Sequence, residues 1–267
     1  MKFHWVEDTI NDELISNSAI LIPIKIENNN FFIQLDTGTK SSIIYRNALI
    51  FLNIDKYKRD NLHLNFVCEY KIHHLTFKID NETTCEVFNN IPIIGLLGLD
   101  FILTHPLLSI DFLNQNISFS NSLLLEDNFY SSYPFEIKGG FICFEAFIKN
   151  KFYFLMWDSG ASFIDLYGTN DFWELLSGQR TTNKNIETVS LSGAYGSTHI
   201  LLKDKVVISF SLFNKEMKGK NIYCNKIYSP LTDLSLIEID GLIGNTLFLS
   251  NIITFNFKSK ILLGNWK

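Results

Sequence analysis

Residues 19–38, AILIPIKIENNNFFIQLDTG, and residues 141–160, FICFEAFIKNKFYFLMWDSG, decide the fold because they are two copies of one pattern. Each copy is a β-rich run, a short Asn/Lys turn and a second apolar run that ends at an aspartate, Asp36 or Asp158. Apolar, strand-like runs on either side of a polar turn are typical of β-hairpins. The sequence therefore predicts two hairpins, each leading into an Asp-(Thr/Ser)-Gly tripeptide.

The duplication continues beyond the tripeptides. GLLG at 95–98 answers GLIG at 241–244, and the short apolar stretch after each favours a turn that opens a brief helix. Each half then ends in alternating runs around a polar turn, at 109–119 and 254–263, which we interpret as hairpins. An ordered set of elements that occurs twice predicts two similar structural units.

These patterns predict an all-β fold of two similar barrel-like lobes, related by a pseudo-two-fold axis, with few short helices. The stretch SSYPFEIKGG, 131–140, contains the Ser, Pro and Gly residues that are typical of a connection between structural units. We therefore place the N-terminal lobe at 1–131 and the C-terminal lobe at 132–267. The best helix is TNDFWELLSG, 169–178, which has a polar cap and a glycine stop. The first dozen residues fit either an interlobe strand or a loose tail.

Composition excludes several classes of function. The 267 residues include 46% hydrophobic residues and carry a net charge of -5 with no basic stripe, so nucleic acid is not an expected partner. Acidic residues interrupt the start of the chain where a secretory signal would be apolar, and no run reaches the length of a membrane span, so we expect a cytoplasmic location and no membrane. The four cysteines are too dispersed for a zinc site, and we interpret them as free buried thiols; disulfides, in any of three pairings, are the alternative.

Asp36 and Asp158 are the candidate catalytic residues. Two lobes related by a two-fold axis can bring the same loop from each side into contact, so that the two carboxyl groups meet. Two carboxylates about 3 Å apart cannot both ionise, so the pair shares one proton. A water between them can then be deprotonated by one carboxylate while the other carboxyl stabilises the developing oxyanion, without metal or cofactor.

The other tripeptide residues have structural roles in this arrangement. Gly38 and Gly160 let the loops approach without a Cβ clash, and the hydroxyls of Thr37 and Ser159 can hydrogen-bond across the interface.

The duplicated motif with its downstream hydrophobic-hydrophobic-Gly element resembles the pepsin-like and retropepsin-like aspartic peptidases over nearly the whole chain. The length resembles two fused retropepsin-type lobes, as found in some bacterial proteins. The resemblance implies that the two aspartates form the dyad, that the Thr and Ser hydroxyls interlock the loops, and that a hydrophobic-Gly segment packs beneath each loop. By position, these segments are represented by Leu97 and Gly98, and by Ile243 and Gly244.

The sequence differs from the pattern of this family at two places. The residue after the motif is Thr39 in one lobe and Ala161 in the other, and in this family a hydroxyl at that position makes the dyad more acidic. One hydroxyl fewer implies activity nearer neutral pH than in pepsin. The first lobe has no glycine between Gly38 and Gly95, so the flap that covers substrate is expected in the second lobe instead, with Gly193, Tyr195 and Gly196 near its tip; an ordinary hairpin turn is the alternative.

The favoured function is an endopeptidase, a monomer that binds a peptide or protein substrate in the interlobe cleft. A catalytically inactive relative that binds peptides is the alternative, because the first-lobe flap region is short and lacks glycine. A two-carboxylate glycosidase is disfavoured, since such enzymes hold their acids about 5 Å or more apart.

Overall fold

A computed structural model describes residues 1–10, 13–54, 60–121, 131–192, 198–227 and 234–266. Strands dominate the described residues, as the sequence predicts. The first half contains β1 (His4–Ile10), β2 (Glu13–Ile26), β3 (Asn29–Leu35), β4 (Ile43–Tyr45), β5 (Asn61–Cys68), β6 (Lys71–Asp80), β7 (Glu86–Phe88), β8 (Ile91–Leu97), α1 (Leu99–Ile102), β9 (Leu107–Asp111) and β10 (Asn116–Ser120). A 3-10 turn at Arg46–Ile50 follows β4.

The second half repeats much of this order. It contains β11 (Ser131–Pro134), β12 (Glu136–Lys138), β13 (Phe141–Ile148), β14 (Lys151–Trp157), β15 (Leu166–Gly168), α2 (Asn170–Ser177), β16 (Glu187–Ser192), β17 (Thr198–Lys205), β18 (Ser211–Leu212), β19 (Lys215–Glu216), β20 (Asn221–Asn225), β21 (Gly241–Ile243), β22 (Ile252–Asn256) and β23 (Ile261–Gly264). Further 3-10 turns lie at Leu234–Ile237 and Asn245–Leu247.

Each half forms a sheet with the same connectivity around its aspartate. In the first lobe β3 pairs in parallel with β8, β8 pairs antiparallel with β4, and β4 pairs in parallel with β6. In the second lobe β14, β21, β15 and β20 make the same three pairings in the same senses. The fold is therefore the predicted all-β arrangement of two similar lobes related by a pseudo-two-fold axis.

A third sheet joins the lobes. Its five strands run in the order β10-β9-β22-β23-β11, so that β9 from the first half pairs antiparallel with β22 from the second. The boundary that we predicted between residues 131 and 132 falls within β11 and stays a prediction. An apolar cluster extends from the first lobe through this sheet into the second, so the lobes share one core.

Aromatic packing fixes the strand that carries the second aspartate. Trp157, the last residue of β14, is fully buried and stacks on Phe255 of the joining sheet at 4.4 Å between ring centroids. Full burial of a large apolar side chain contributes about 1.5–3 kcal/mol, before any aromatic stacking. The residue directly before Asp158 is thus anchored in the shared core.

Most local predictions are confirmed. The two hairpins that lead to the aspartates are β2–β3 and β13–β14, and the two closing hairpins are β9–β10 and β22–β23. α2 begins after Thr169, whose hydroxyl accepts a bond from the Phe172 amide, and ends at Gly178 with φ of 69°. The four cysteines are free thiols, as predicted.

The prediction of turns at the two Gly-rich segments is wrong. Residues 95–97 end β8, and Gly241–Ile243 form β21, because each segment pairs with the strand that leads to an aspartate. A four-residue helix, α1, does follow Gly98, but only a 3-10 turn follows Gly244. No helix among the described residues is long and apolar enough to cross a membrane.

Candidate active site

Equivalent strands deliver Asp36 and Asp158 to the junction of the lobes. The Asp36 amide continues the β3 ladder by donating to the Leu97 carbonyl at 3.1 Å, and the Asp158 amide donates to the Ile243 carbonyl at 2.9 Å. Leu97 and Ile243 are fully buried, so the backbone of each aspartate is hydrogen-bonded to a strand in the core.

Thr37 and Ser159 lock the two loops together. The Ser159 amide donates to the Thr37 hydroxyl oxygen at 2.8 Å, and the Thr37 amide donates to the Ser159 hydroxyl oxygen at 3.0 Å. Each hydroxyl then donates to a carbonyl of the opposite lobe, from Thr37 to Trp157 at 2.9 Å and from Ser159 to Leu35 at 3.0 Å. Both side chains are fully buried, so these four bonds are shielded from competing water.

The two motif glycines allow this close approach. A Cβ added at Gly38 would lie 2.5 Å from an Asp158 carboxylate oxygen, and one added at Gly160 would lie 2.7 Å from the Asp36 carboxyl carbon. Each loop thus leaves room for the carboxyl group of the other lobe, in a crossed arrangement.

Backbone amides hold both carboxyl groups in place. Asp36 Oδ1 accepts from the Gly38 amide at 2.9 Å, while Asp158 Oδ1 accepts from Gly160 at 2.8 Å and from Ala161 at 3.2 Å. The two carboxyl groups also hydrogen-bond to each other. Both aspartates are half-buried, so they retain some contact with solvent.

The pair is strongly perturbed electrostatically. Burial, followed by the negative charge of Asp158, raises the pKa of Asp36 to about 8, although amides of Gly38 and Thr39 oppose the shift. Burial also raises the pKa of Asp158, and the amides of Ala161 and Gly160 oppose that shift. Such a pair titrates as one unit and keeps a proton at neutral pH.

The backbone amide of Thr39 interacts with the dyad, whereas its hydroxyl does not. Its amide lowers the pKa of Asp36, while its hydroxyl donates to the Ser41 carbonyl at 3.1 Å. The difference between Thr39 and Ala161 therefore brings no side-chain donor to either carboxyl group in this structure.

Gly98 and Gly244 pack against the two motif loops. A Cβ at Gly98 would lie 3.0 Å from the Thr39 carbonyl oxygen, and one at Gly244 would lie 2.1 Å from the Ala161 carbonyl oxygen. The backbone of each loop therefore rests directly on its glycine, and any larger residue would displace the loop.

Three polar residues that support these loops were missed from the sequence: Ser42 and Asn245, which are buried, and Asp100, which is half-buried. Ser42 donates from its hydroxyl to Asp100 at 2.6 Å and accepts from the Gly98 amide at 2.9 Å. In the second lobe the Asn245 side chain donates to the Ser159 carbonyl at 3.3 Å and accepts from the Trp157 indole at 3.0 Å. A polar residue within two positions of GLLG and GLIG, Asp100 in GLLGLD and Asn245 in GLIGNT, is a pattern that could have pointed to these two, whereas nothing in the sequence distinguishes Ser42.

The predicted flap is carried by a hairpin of the second lobe. β16 and β17 pair antiparallel, and β16 contacts β1 of the first lobe. Gly193, Tyr195 and Gly196 lie outside the described residues, so their role stays a prediction. In the first lobe the β5–β6 hairpin folds elsewhere, because Phe66 and His73 pack their rings on Phe101 of α1.

Among the described residues, no group of three or more His, Cys, Asp or Glu side chains is arranged to hold a metal ion. No protein-family model matches the chain, and no curated protein matches it. Among solved structures, the chain is similar to the retroviral protease-like domain of Ddi1 from Leishmania major. The identity is 13%, the match covers 38% of this chain and 84% of that chain, and the TM-score is 0.31. The strand connectivity described above, repeated in the two lobes, defines the fold.

Proposed function

We propose that this chain is an aspartic endopeptidase, which hydrolyses a peptide bond with a water activated between Asp36 and Asp158. One observation carries the proposal: two half-buried carboxyl groups from duplicated loops hydrogen-bond to each other, and the pKa of each is raised. Structural carboxylates in proteins are more often paired with a cation than with each other, whereas two acids that share a proton suit acid–base chemistry.

We place the shared proton on Asp36. The amides of Ala161, Gly160 and Gly38 all lower the pKa of Asp158, and the bond between the two carboxyl groups lowers the pKa of Asp158 while it raises that of Asp36, so the ionised form is favoured at Asp158. The ionised Asp158 removes a proton from the water as the water oxygen attacks the peptide carbonyl carbon. The protonated Asp36 donates to the carbonyl oxygen as negative charge develops on it.

Collapse of the tetrahedral intermediate reverses these roles. The nitrogen of the leaving amine must gain a proton as the carbon–nitrogen bond breaks, and Asp158, which carries the proton taken from the water, supplies it. Asp36 recovers its proton as the new carboxyl group forms. The dyad therefore ends in its starting state, which makes the reaction catalytic.

The substrate would be an extended peptide lying across the junction of the lobes. An extended chain rises about 3.3 Å per residue, so several residues on each side of the cleaved bond can contact both lobes. The β16–β17 hairpin, which already contacts the first lobe through β1, is the element placed to cover such a peptide.

The test is digestion of a peptide library by the wild type, Asp36→Asn and Asp158→Asn between pH 3 and pH 9. Asp171→Asn is the matched control, because Asp171 is exposed in the first turn of α2. We expect cleavage by the wild type and by the control, with the loss of at least about 10³-fold in either dyad variant. Cleavage that survives Asp36→Asn or Asp158→Asn would refute the dyad.

A non-catalytic peptide-binding module is the second candidate. It is favoured by the first lobe, whose β5–β6 hairpin packs on α1 instead of extending over the site. Tight peptide binding by a wild type that cleaves no peptide at any pH would support this candidate over the first.

A further inference from the structure

Lys40 connects the dyad loop of the first lobe to the second lobe. It lies four residues after Asp36, and its side chain is exposed. Its ammonium nitrogen lies 4.9 Å from the ring centroid of Phe141, at the start of β13, which is within the range of a cation–π contact. A charged side chain thus lies at the lobe junction beside the candidate active site.

The backbone of the turn between β12 and β13 packs against the aliphatic part of the Lys40 side chain. A Cβ added at Gly140 would lie 3.2 Å from Lys40 Cε, and Gly140 has a φ of 88° that disfavours other residues. Gly139, its neighbour, faces Ile237, with 3.4 Å between an added Cβ and the Ile237 Cβ. The turn between β12 and β13 is therefore enclosed by Lys40 on one side and by Ile237 on the other.

The charge of Lys40 is not neutralised by another described residue. No carboxylate of the described residues lies within 4.0 Å of its ammonium group. Lys138, on the strand before the same turn, offers a contrast, because its ammonium lies 4.1 Å from the Phe154 ring centroid and 3.4 Å from a Glu238 carboxylate oxygen. Of these two lysines, Lys40 alone has charge available to a ligand.

We propose that Lys40 is a specificity-determining residue that selects peptides with an acidic side chain near the cleaved bond. The inference rests on the proposed function for the identity of the ligand as a peptide. Four residues of chain span at most about 13 Å, so the Lys40 ammonium can reach a substrate side chain two to four residues from the bond held at Asp36. A carboxylate there would form an ion pair at a site partly shielded by Phe141 and the β12–β13 turn.

The test compares matched peptides in which Glu, Gln or Lys occupies each position from the second to the fourth residue on either side of the cleaved bond. For the wild type we expect kcat/KM to favour Glu by about fivefold at one of these positions, an advantage that declines as salt increases. In Lys40→Gln the ratio should fall to about one. Lys40→Glu should reverse it, so that a Lys-containing peptide becomes the preferred substrate.

Lys258→Gln is the matched control, since it removes the same charge from an exposed position in the turn of the β22–β23 hairpin. Its ratio should equal that of the wild type. An equal preference for Glu in the wild type and in Lys40→Gln would overturn the assignment of Lys40, and so would no preference at any of these positions in the wild type.

Measurements of peptide binding test charge selection by Lys40 independently of the proposed peptidase activity. The dissociation constants of the same Glu and Gln peptides, measured with Asp36→Asn in the presence and absence of Lys40→Gln, report charge selection without turnover. Failure of the wild type to cleave any peptide would count against the peptidase, while a Glu preference in binding that disappears with Lys40→Gln would still support Lys40. Binding that is indifferent to Lys40→Gln would refute the selection in either case.

Discussion

Thr37 and Ser159 each accept the backbone amide of the other and each donate to a carbonyl of the opposite lobe, in bonds of 2.8–3.0 Å. The two residues are 122 positions apart in the chain and both are fully buried. These four bonds join the two loops that carry Asp36 and Asp158, so they help to set the distance between the aspartates.

Replacement of Thr37 by Val tests this dependence. Valine has a similar shape but cannot exchange hydrogen bonds, so the Ser159 amide and the Trp157 carbonyl would both be left buried without a partner. We expect the free energy of unfolding to fall by about 2–4 kcal/mol, measured by urea denaturation. Thr39→Val is the control, because its half-buried hydroxyl makes one local bond to Ser41, and it should cost less than about 1 kcal/mol.

Gly160→Ala tests whether activity depends on the close approach of the two carboxyl groups. The added methyl group would lie 2.7 Å from the Asp36 carboxyl carbon, so the carboxyl groups must move apart, and we expect kcat/KM to fall by at least about 100-fold. Gly219→Ala provides the contrast, since its φ of 81° is strained but no atom lies within 4 Å of the added Cβ. That variant should lose about 1 kcal/mol of stability and keep its activity. Equal activity in both variants would contradict the proposed geometry.

The raised pKa of Asp36 predicts how stability depends on pH. Between the ordinary pKa of 3.8 and the folded value of about 8, the folded chain retains a proton that the unfolded chain releases. The free energy of unfolding must therefore decrease as pH rises through that window, by at most about 1.4 kcal/mol per pH unit for one group.

Asp36→Asn removes this group, so the variant should be more stable than the wild type at pH 7 by about 1–3 kcal/mol, with a smaller slope against pH. Urea denaturation at pH 5, 6, 7 and 8 measures both quantities. Asp171→Asn, at an exposed site, is the control variant. A wild type whose stability rises from pH 5 to pH 8 would show that the dyad is not the dominant titrating pair.

The pH dependence of catalysis is a separate prediction. Hydrolysis needs one proton on the pair, so the profile of kcat/KM should be bell-shaped. Its basic limb should fall near pH 8, and its acidic limb should also be displaced upward, because burial raises the pKa of both aspartates. A maximum near neutral pH is expected, and a maximum below about pH 4 would contradict it.

The features that could be predicted from the sequence are those encoded locally or encoded twice. The hairpins before Asp36 and Asp158 are confirmed because each depends on strand alternation and a turn within about 20 residues. The helix at 169–178 was equally local, since its cap and its glycine stop are visible in sequence.

Features that depend on distant pairing and are not marked by the duplicated motif could not be predicted. Ser42 and Asp100 are 58 positions apart, and Ser42 resembles any loop serine until the sheet brings Asp100 against it. The Gly-rich segments looked like turns because a three-residue strand gains its identity only from the neighbour with which it pairs. The first residues had two open interpretations, an interlobe strand or a loose tail. The loose tail is wrong, because Phe3 is buried, Lys2 bridges to Asn116 of the joining sheet, and β1 pairs with β2 of the first lobe.

The five-stranded sheet has a consequence for how the duplicated chain folds. Because β9 must find β22, a chain cut between the halves would leave each half with unpaired backbone along a hydrophobic strand. Either half in isolation would be prone to aggregate or to pair with a second copy of itself. Since the two repeats share this sheet and one apolar core, we expect them to unfold together in a single transition.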